Sequence, residues 1–211
     1  MKKLFFSLVV ACVATVAGNQ TFAQASKARV GLTAGLNLTT MGSATAGGLT
    51  INYDYRPGFQ GGIFAEIPVA NKIAFVPAVL YSQKGGNINT VINGVTIKGD
   101  TRVNYIDVPL LVDFKVNPAI SLFVGPQAAF FMSQKSTATL SMGSQTATNT
   151  STSSEGARKV IVGANLGAGY KFNQDLGIKL HYITDFQHTS EEAYNTGEKN
   201  SGFALTVGYL F

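Results

Sequence analysis

The chain has 211 residues, of which 45% are hydrophobic and only 13% are charged, and its formal net charge is +5. Soluble globular proteins carry roughly 25% charged residues, so this composition predicts a surface that faces something other than water. The 14 Phe and 8 Tyr exclude a disordered chain. Beyond the N-terminal segment no apolar run is long enough for a membrane helix, which leaves a soluble β protein or a membrane β-barrel.

The N-terminal segment has the pattern of a secretory signal peptide. A basic start precedes an apolar run over residues 4–17, and small residues follow it. Cleavage is predicted after Ala23 or after Ala25, and the two sites are equally acceptable. Residues 1–25 are therefore assigned to the signal peptide and residues 26–211 to the mature domain. The alternative is a buried or anchoring N-terminal helix, for which the run is short.

Cys12 is the single cysteine of the chain and lies within the apolar run. Its surroundings resemble a lipoprotein box, so lipidation of Cys12 is a further alternative. If the signal peptide is removed instead, the mature domain has no cysteine. That excludes a disulfide framework and a thiolate nucleophile or metal ligand.

From Val30 onward the dominant hydrophobic period is two. Alternation of apolar with small or polar residues predicts strands that have one apolar face. Segments of about ten residues suit a tilted crossing of a bilayer better than a soluble sheet. The third segment is less cleanly patterned than the others. In chain order the eight predicted strands cover Val30–Leu38, Phe59–Ile67, Ile73–Gln83, Tyr105–Lys115, Ile120–Ser133, Val160–Phe172, Leu176–Gln187 and Phe203–Phe211.

Connection lengths predict the topology. Short turns that alternate with long loops, on an even strand count, are typical of an outer-membrane barrel with periplasmic turns and extracellular loops. We therefore predict an all-β fold, an eight-stranded antiparallel up-and-down transmembrane β-barrel in the cell outer membrane of a Gram-negative bacterium. The short turns are Val69–Lys72, Asn117–Ala119 and Asn173–Asp175, and the long loops are 40–55, 85–102, 134–157 and 188–201.

Two of the long loops carry further signals. Asn93-Gly94 lies between two apolar segments and predicts a type I′ turn, so that this loop is expected to extend the barrel as a ribbon. Residues 136–154 are almost entirely Ser, Thr, Ala, Gln and Asn. They are predicted to form an exposed, low-complexity loop with nothing to bury.

Four motifs occur in order along the mature chain: Pro57–Gly62, Tyr81–Gly85, Tyr105–Leu111 and Phe123–Pro126. In this combination the chain resembles the PorT-like outer-membrane β-barrel family of Bacteroidetes-type bacteria over essentially its whole mature length. The resemblance implies a small eight-stranded barrel. Most relatives have no assigned biochemical activity, and the eponymous member is linked to protein secretion.

The resemblance also implies partners and shows one departure. Relatives often carry a Glu in the third strand, where this chain has Pro77–Leu80, so an inward carboxylate is not expected there. The last strand ends at Phe211 and looks like the C-terminal signal read by the barrel-insertion machinery. We expect a monomer in contact with outer-membrane lipid, that machinery and extracellular or secretion-system proteins, and no contact with nucleic acid.

Charged residues on the predicted inner faces are candidate functional groups. An eight-stranded barrel is just wide enough for side chains to fill, so an open pore is not expected. A salt-bridged polar core is the favoured interpretation, and a proton or ion path is the alternative. The predicted inward set is Glu66, Asp107, Asp113, Lys115, Lys171, Lys179, His181 and Asp185.

We expect no catalytic activity, and one motif keeps an enzymatic alternative open. His188 and Ser190 resemble the His-x-Ser of lipid A deacylase barrels, with Glu191, Glu192 and Glu198 nearby. A His, a Ser and a carboxylate are the groups that a nucleophilic hydrolase needs.

Cofactor and metal sites are not expected. His181 and His188 are the two histidines, and their odd separation places them on opposite faces if the strand is unbroken. No zinc pattern occurs. Gly47-Gly48 lacks the strand–turn–helix context of a phosphate loop.

A soluble secreted or periplasmic lipocalin-like barrel that binds an apolar ligand is the remaining alternative. It inverts the alternation, so that the apolar side chains line a cavity and the charged ones face water. It would point Leu32, Val108, Val162 and Leu205 inward and Lys115, Lys179 and Asp185 outward.

Overall fold

The computed structural model describes residues 27–46, 49–92, 94–152, 156–190 and 198–211. The predicted signal peptide, Gly47-Gly48, Glu191 and Glu192 lie outside the described residues. Across the described part of the chain, no helix is long and apolar enough to cross a membrane. The strands are β1 (Arg29–Thr40), β2 (Ser43–Ala46), β3 (Leu49–Asn52), β4 (Asp54–Ala70), β5 (Ile73–Ile92), β6 (Val95–Lys115), β7 (Ile120–Met142), β8 (Gln145–Thr152), β9 (Val160–Lys171), β10 (Leu176–Asp185) and β11 (Ser201–Leu210).

Eight of these strands form a closed ring. Strands β1, β4, β5, β6, β7, β9, β10 and β11 each pair antiparallel with the next in this order. Strand β11 closes the ring on β1, from Gly31 opposite Leu210 to Thr40 opposite Ser201. The predicted eight-stranded up-and-down barrel is confirmed.

One end of the ring carries the short connections, and we call it the turn end. Arg29 closes the barrel here, because its guanidinium donates hydrogen bonds to the carbonyl oxygens of Gln174, Leu210 and Phe211 and pairs with the Asp175 carboxylate. The first and last strands are thereby joined to the β9–β10 turn.

The opposite end, the loop end, carries a sheet that the sequence predicted only in part. The ribbon around Asn93-Gly94 is confirmed: β5 and β6 pair as far as Ile92 opposite Val95, and Gly94 has the positive φ of 79° that such a turn requires. The prediction of a loop over residues 136–154 is wrong. Strand β7 continues to Met142 and pairs with β8, because the threonines of this segment are β-branched and favour strands.

The outer face of the barrel is apolar. Val162 is 44% exposed, Leu205 is 49% exposed and Leu36 is 71% exposed, whereas the side chains between them along each strand point inward. The inverted alternation of the soluble alternative is therefore wrong, since Leu32 is also 52% exposed and Asp185 is buried.

Aromatic rings mark both edges of this apolar face. At the turn end Tyr170 packs on Phe172 at 5.3 Å and Tyr209 on Phe211 at 5.4 Å between ring centroids. Towards the loop end Tyr182 packs on Phe203 at 5.3 Å, and Phe59 packs on Tyr81 at 5.7 Å. Two aromatic girdles that flank an apolar band are the exterior of a membrane-spanning barrel.

Candidate functional site

The barrel interior contains two separate groups of charges. The first lies near the turn end, where Lys115 Nζ and Lys171 Nζ approach the Glu66 carboxylate at 3.0 Å and 2.7 Å. Beside it, Lys179 Nζ lies 2.9 Å from Asp113 Oδ2. These five predicted residues are thus brought together on the inner ends of β4, β6, β9 and β10. Glu66 bridges Lys115 and Lys171, and Asp113 pairs with Lys179, so every charge of this group has a partner, which favours a structural role.

His181 forms the next layer, further towards the loop end. Its Nδ1 lies 3.1 Å from Asn165 Oδ1 and its Nε2 lies 3.1 Å from Thr206 Oγ1. The Asn165 amide nitrogen donates to Gln127 Oε1, so the Asn165 oxygen faces His181 as an acceptor. A neutral imidazole with its proton on Nδ1 donates to that oxygen and accepts at Nε2 from the Thr206 hydroxyl, which satisfies both contacts. The ring also packs on Phe123 at 4.8 Å between centroids.

The second group of charges lies beyond His181. Lys84 Nζ is 3.2 Å from Asp107 Oδ2 and 3.6 Å from Asp185 Oδ1, and all three side chains are about 1% exposed. The Asn200 amide donates to Asp185 at 3.1 Å. The Lys84 ammonium also lies 5.2 Å from the centre of the Tyr105 ring. We call Lys84, Asp107 and Asp185 the inner triad.

The predicted inward set is confirmed in full, and the sequence prediction missed two buried cations, Arg56 and Lys84. Lys84 follows the weakly patterned third segment, in which both faces are apolar from Ala74 to Leu80, so that alternation does not reveal the inner face. With Lys84 included, four interior carboxylates face four ammonium groups. The carboxylates are those of Glu66, Asp107, Asp113 and Asp185, and the ammonium groups are those of Lys84, Lys115, Lys171 and Lys179.

Apolar side chains separate the two charge groups and fill the lumen around them. One cluster joins Ala74, Val76, Leu111 and Phe123. A second cluster lies near the inner triad and comprises Val103, Tyr105, Ala129 and Ile161, each no more than 1% exposed. A cavity of about 70 Å³ remains on the turn side, between Glu66 and His181. This filling supports the salt-bridged core over an ion path.

The candidate hydrolase residues lie at the loop end. The Ser190 hydroxyl donates to the Gly156 carbonyl oxygen at 3.0 Å. The Glu198 carboxylate accepts hydrogen bonds from Tyr53 at 2.7 Å and Thr189 at 3.5 Å. In the described residues Glu198 is thus held by other partners than His188, and no acid–histidine pair is formed there.

Two further expectations concern histidine and metals. Strand β10 ends at Asp185, so His188 lies beyond it and the condition of an unbroken strand is not met. His181 points into the lumen. Over the ranges that the structure describes, no three His, Cys, Asp or Glu side chains form a group suited to a metal ion.

Tyr53 has a perturbed acidity. Burial raises the pKa of its phenol well above the usual value near 10, and the hydrogen bond and negative charge of Glu198 raise the pKa further. Tyr53 follows the β2–β3 hairpin, outside the barrel wall. The contact joins the loop before β4 to the segment before β11.

Three barrel strands continue beyond the barrel wall at the loop end and are joined there by a fourth strand, and we call this extension the outer sheet. It comprises the loop-end halves of β5, β6 and β7 together with β8. On one face, hydroxyl groups pair across β7 and β8, at 3.3 Å for Thr137 with Thr150 and 3.2 Å for Thr139 with Thr148. All eight residues of β8 are exposed.

A closed ring of eight strands with a filled, charge-balanced interior, an apolar exterior and two aromatic girdles defines an integral outer-membrane β-barrel. Residues 22–191 match the family described as the outer membrane protein beta-barrel domain. The chain belongs to that family.

Solved structures with similar folds include neisserial surface protein A (NspA), which is 14% identical, with a TM-score of 0.49, and covers 88% of this chain and 100% of its own. Ail, the attachment invasion locus protein of Yersinia pestis, is also 14% identical over 88% of this chain and 100% of its own, with a TM-score of 0.47. The outer membrane protease OmpT from Escherichia coli is 9% identical over 92% and 100%, with a TM-score of 0.39. No curated protein sequence matches the chain.

Proposed function

We propose that this protein is a non-catalytic outer-membrane barrel that presents the outer sheet to partners outside the cell. The barrel is the anchor and the outer sheet is the interaction surface. The PorT-like resemblance supports a partner in protein secretion or on the cell surface. Signal-peptide export and insertion through the C-terminal strand ending at Phe211 complete the proposed route to the outer membrane.

The observation that carries the proposal is the contrast between a packed lumen and an extended outer sheet. The inner triad is almost fully buried, which leaves little room for a transport path. The outer sheet extends β7 and adds β8, and it buries little of its own surface. Loops and extensions placed on a rigid scaffold are where proteins carry binding functions.

The orientation is tested by tagging one turn at each end. A short epitope inserted after Gly143, in the β7–β8 turn, is expected to bind antibody on intact cells. The same epitope inserted after Asn71, in the β4–β5 turn, is the matched control and is expected to bind only after the cells are opened. Labelling of the Asn71 insertion on intact cells would contradict the proposed orientation.

The role of the outer sheet is tested by removing its β7–β8 hairpin without cutting the barrel. Lys135 and Thr152 are cross-strand partners, so replacing residues 136–151 by Asn-Gly leaves a short hairpin. This variant is expected to keep its heat-modifiable migration in detergent. It is also expected to reproduce the surface phenotype of a deletion strain, because the half of the interaction surface that includes the fully exposed β8 is gone. Full complementation of the deletion strain by this variant would overturn the proposal.

A further inference from the structure

The outward face of β6 changes character at one point. From the turn end its outward residues are apolar, from Phe114 through Leu110 to Ile106, and from Asn104 onward they are polar. Asn104 also donates to Ser133 of β7 at 2.9 Å, so β7 becomes polar at the same level. The step from Ile106 to Asn104 therefore marks the outer edge of the apolar band.

Two cations face each other immediately beyond this edge. Arg102 and Lys135 are cross-strand partners on β6 and β7, and both are exposed. Arg102 lies four residues beyond Ile106, which is roughly 13 Å along the strand and about 10 Å above the apolar band at a tilt near 40°. This is the level of the lipid headgroups.

The neighbours of the pair leave it accessible. Gly85, opposite Arg102 on β5, has no side chain and a φ of 144°. Thr152, opposite Lys135 on β8, adds an exposed hydroxyl. We call Gly85, Arg102, Lys135 and Thr152 the cationic row, since they lie side by side across four strands.

The protein itself does not neutralise the cationic row. The nearest carboxylate on the same face of β6, Asp100, is held by Arg56 at 2.9 Å. Within the described residues neither Arg102 nor Lys135 forms an ion pair. Like charges directly opposite each other on a sheet are destabilising, so an external anion is the partner that would make this arrangement favourable.

We infer that the cationic row binds the phosphate of an anionic glycolipid headgroup in the outer leaflet of the membrane. Arg102 offers a planar fork suited to two phosphate oxygens, and Lys135 offers a point charge beside it. The acyl chains of such a lipid would lie on the apolar face below, along Ile106 and Leu110. This inference rests on the proposed function, which places the barrel in the outer membrane. It adds a lipid as the partner of the part of the outer sheet that lies nearest the membrane.

The test measures lipid binding to the purified, folded full-length barrel in a non-ionic detergent by native mass spectrometry. The probes are diphosphoryl lipid A, the same lipid without phosphates, and inorganic phosphate as competitor. A cation near an anionic membrane surface contributes about 1 kcal/mol, or about fivefold in affinity. Arg102→Gln and Lys135→Gln are therefore each expected to bind diphosphoryl lipid A about fivefold more weakly, and the double variant roughly 25-fold more weakly.

Lys98→Gln is the matched control, because Lys98 is exposed on the same face of β6 but lies four residues further from the membrane. It is expected to bind within about twofold of the wild type. Arg102→Lys keeps the charge but loses the planar fork, so it is expected to recover only part of the affinity lost in Arg102→Gln. All variants must keep heat-modifiable migration, and removal of the repulsion is expected to leave their stability in detergent unchanged or slightly higher.

Three results would overturn the inference: equal weakening by Lys98→Gln, wild-type binding by the double variant, or equal binding of the lipid without phosphates. Displacement by inorganic phosphate at the lipid's own concentration would assign the row to a free anion instead. The two proposals can fail separately. If the barrel prefers the phosphorylated lipid but the outer sheet is dispensable in cells, this inference stands and only the proposed function is overturned.

Discussion

Replacing Lys84 by methionine removes the ammonium group that lies between Asp107 and Asp185. The three side chains are about 1% exposed, and the two ion-pair distances are 3.2 Å and 3.6 Å. Breaking a buried pair by removing one partner costs about 3–5 kcal/mol, because an uncompensated charge stays buried. Lys84→Met leaves two carboxylates in that state and is expected to lie in the upper part of this range.

The assay is urea unfolding of the barrel in lipid vesicles. With a urea dependence of about 2 kcal/mol per M, a loss of this size lowers the midpoint by roughly 2 M. The triple variant Lys84→Met, Asp107→Asn, Asp185→Asn is the decisive control, since replacing a whole buried ion cluster by neutral groups is often close to neutral. It is expected to recover most of the loss. A cost below about 1 kcal/mol for Lys84→Met, or no recovery in the triple variant, would show that Lys84 does not compensate the two buried carboxylates.

Three further outcomes are expected at the loop end. The raised pKa of Tyr53 keeps its phenol neutral at pH values where an exposed tyrosine ionises. The rise in tyrosinate absorbance near pH 10 should therefore be the same in the Tyr53→Phe variant as in the wild type. A rise that is smaller by the contribution of one tyrosine would contradict this. Gly85→Ala places a Cβ about 1.9 Å from the Thr101 carbonyl oxygen, so a large loss of heat-modifiable protein is expected, and normal yield would count against it. His188→Ala and Ser190→Ala should both leave lipid A processing in cells unchanged, whereas a loss in both would revive the hydrolase alternative.

The barrel could be predicted from the sequence because one face of most strands is strictly apolar. Leu36, Val162 and Leu205 follow the period-two pattern and all lie on the exterior. The pattern needs contrast between the two faces. It therefore does not identify Lys84, which follows a segment in which both faces are apolar.

The outer sheet could be predicted only in part for the same physical reason. The period-two pattern of the β7–β8 hairpin is confined to β7, where Ala138, Leu140 and Met142 alternate with hydroxyl-bearing residues. Strand β8 alternates threonines with small or polar residues and shows no hydropathy period. The strand character of the hairpin comes from the β-branched residues Thr137, Thr139, Thr148 and Thr150. The hydrogen bonds between their hydroxyl groups depend on the pairing register of β7 and β8, which the spacing of residues in the sequence does not define. The inner triad is likewise a product of register, since its members come from β5, β6 and β10.

The apolar exterior of the barrel meets lipid. Strand β9 tests this contact well, because its outward residues run from Val160 to Tyr170, roughly 33 Å along the strand and about 25 Å across a bilayer at a tilt near 40°. Val162 lies near the loop-end edge of this span, and Leu166 lies at its centre. Both side chains are exposed on the outer face, at 44% and 43%.

The most direct measurement is the unfolding free energy in lipid vesicles of Leu166→Arg, Val162→Arg and, as a control on the exposed β8, Thr150→Arg. Arginine on the lipid face costs about 2–4 kcal/mol at the bilayer midplane and about 0–1 kcal/mol near the interface. A lipid-facing exterior predicts the full cost for Leu166→Arg, a smaller cost for Val162→Arg and almost none for Thr150→Arg. Equal costs at the three positions, or recovery of the wild type as a soluble monomer without detergent, would contradict it.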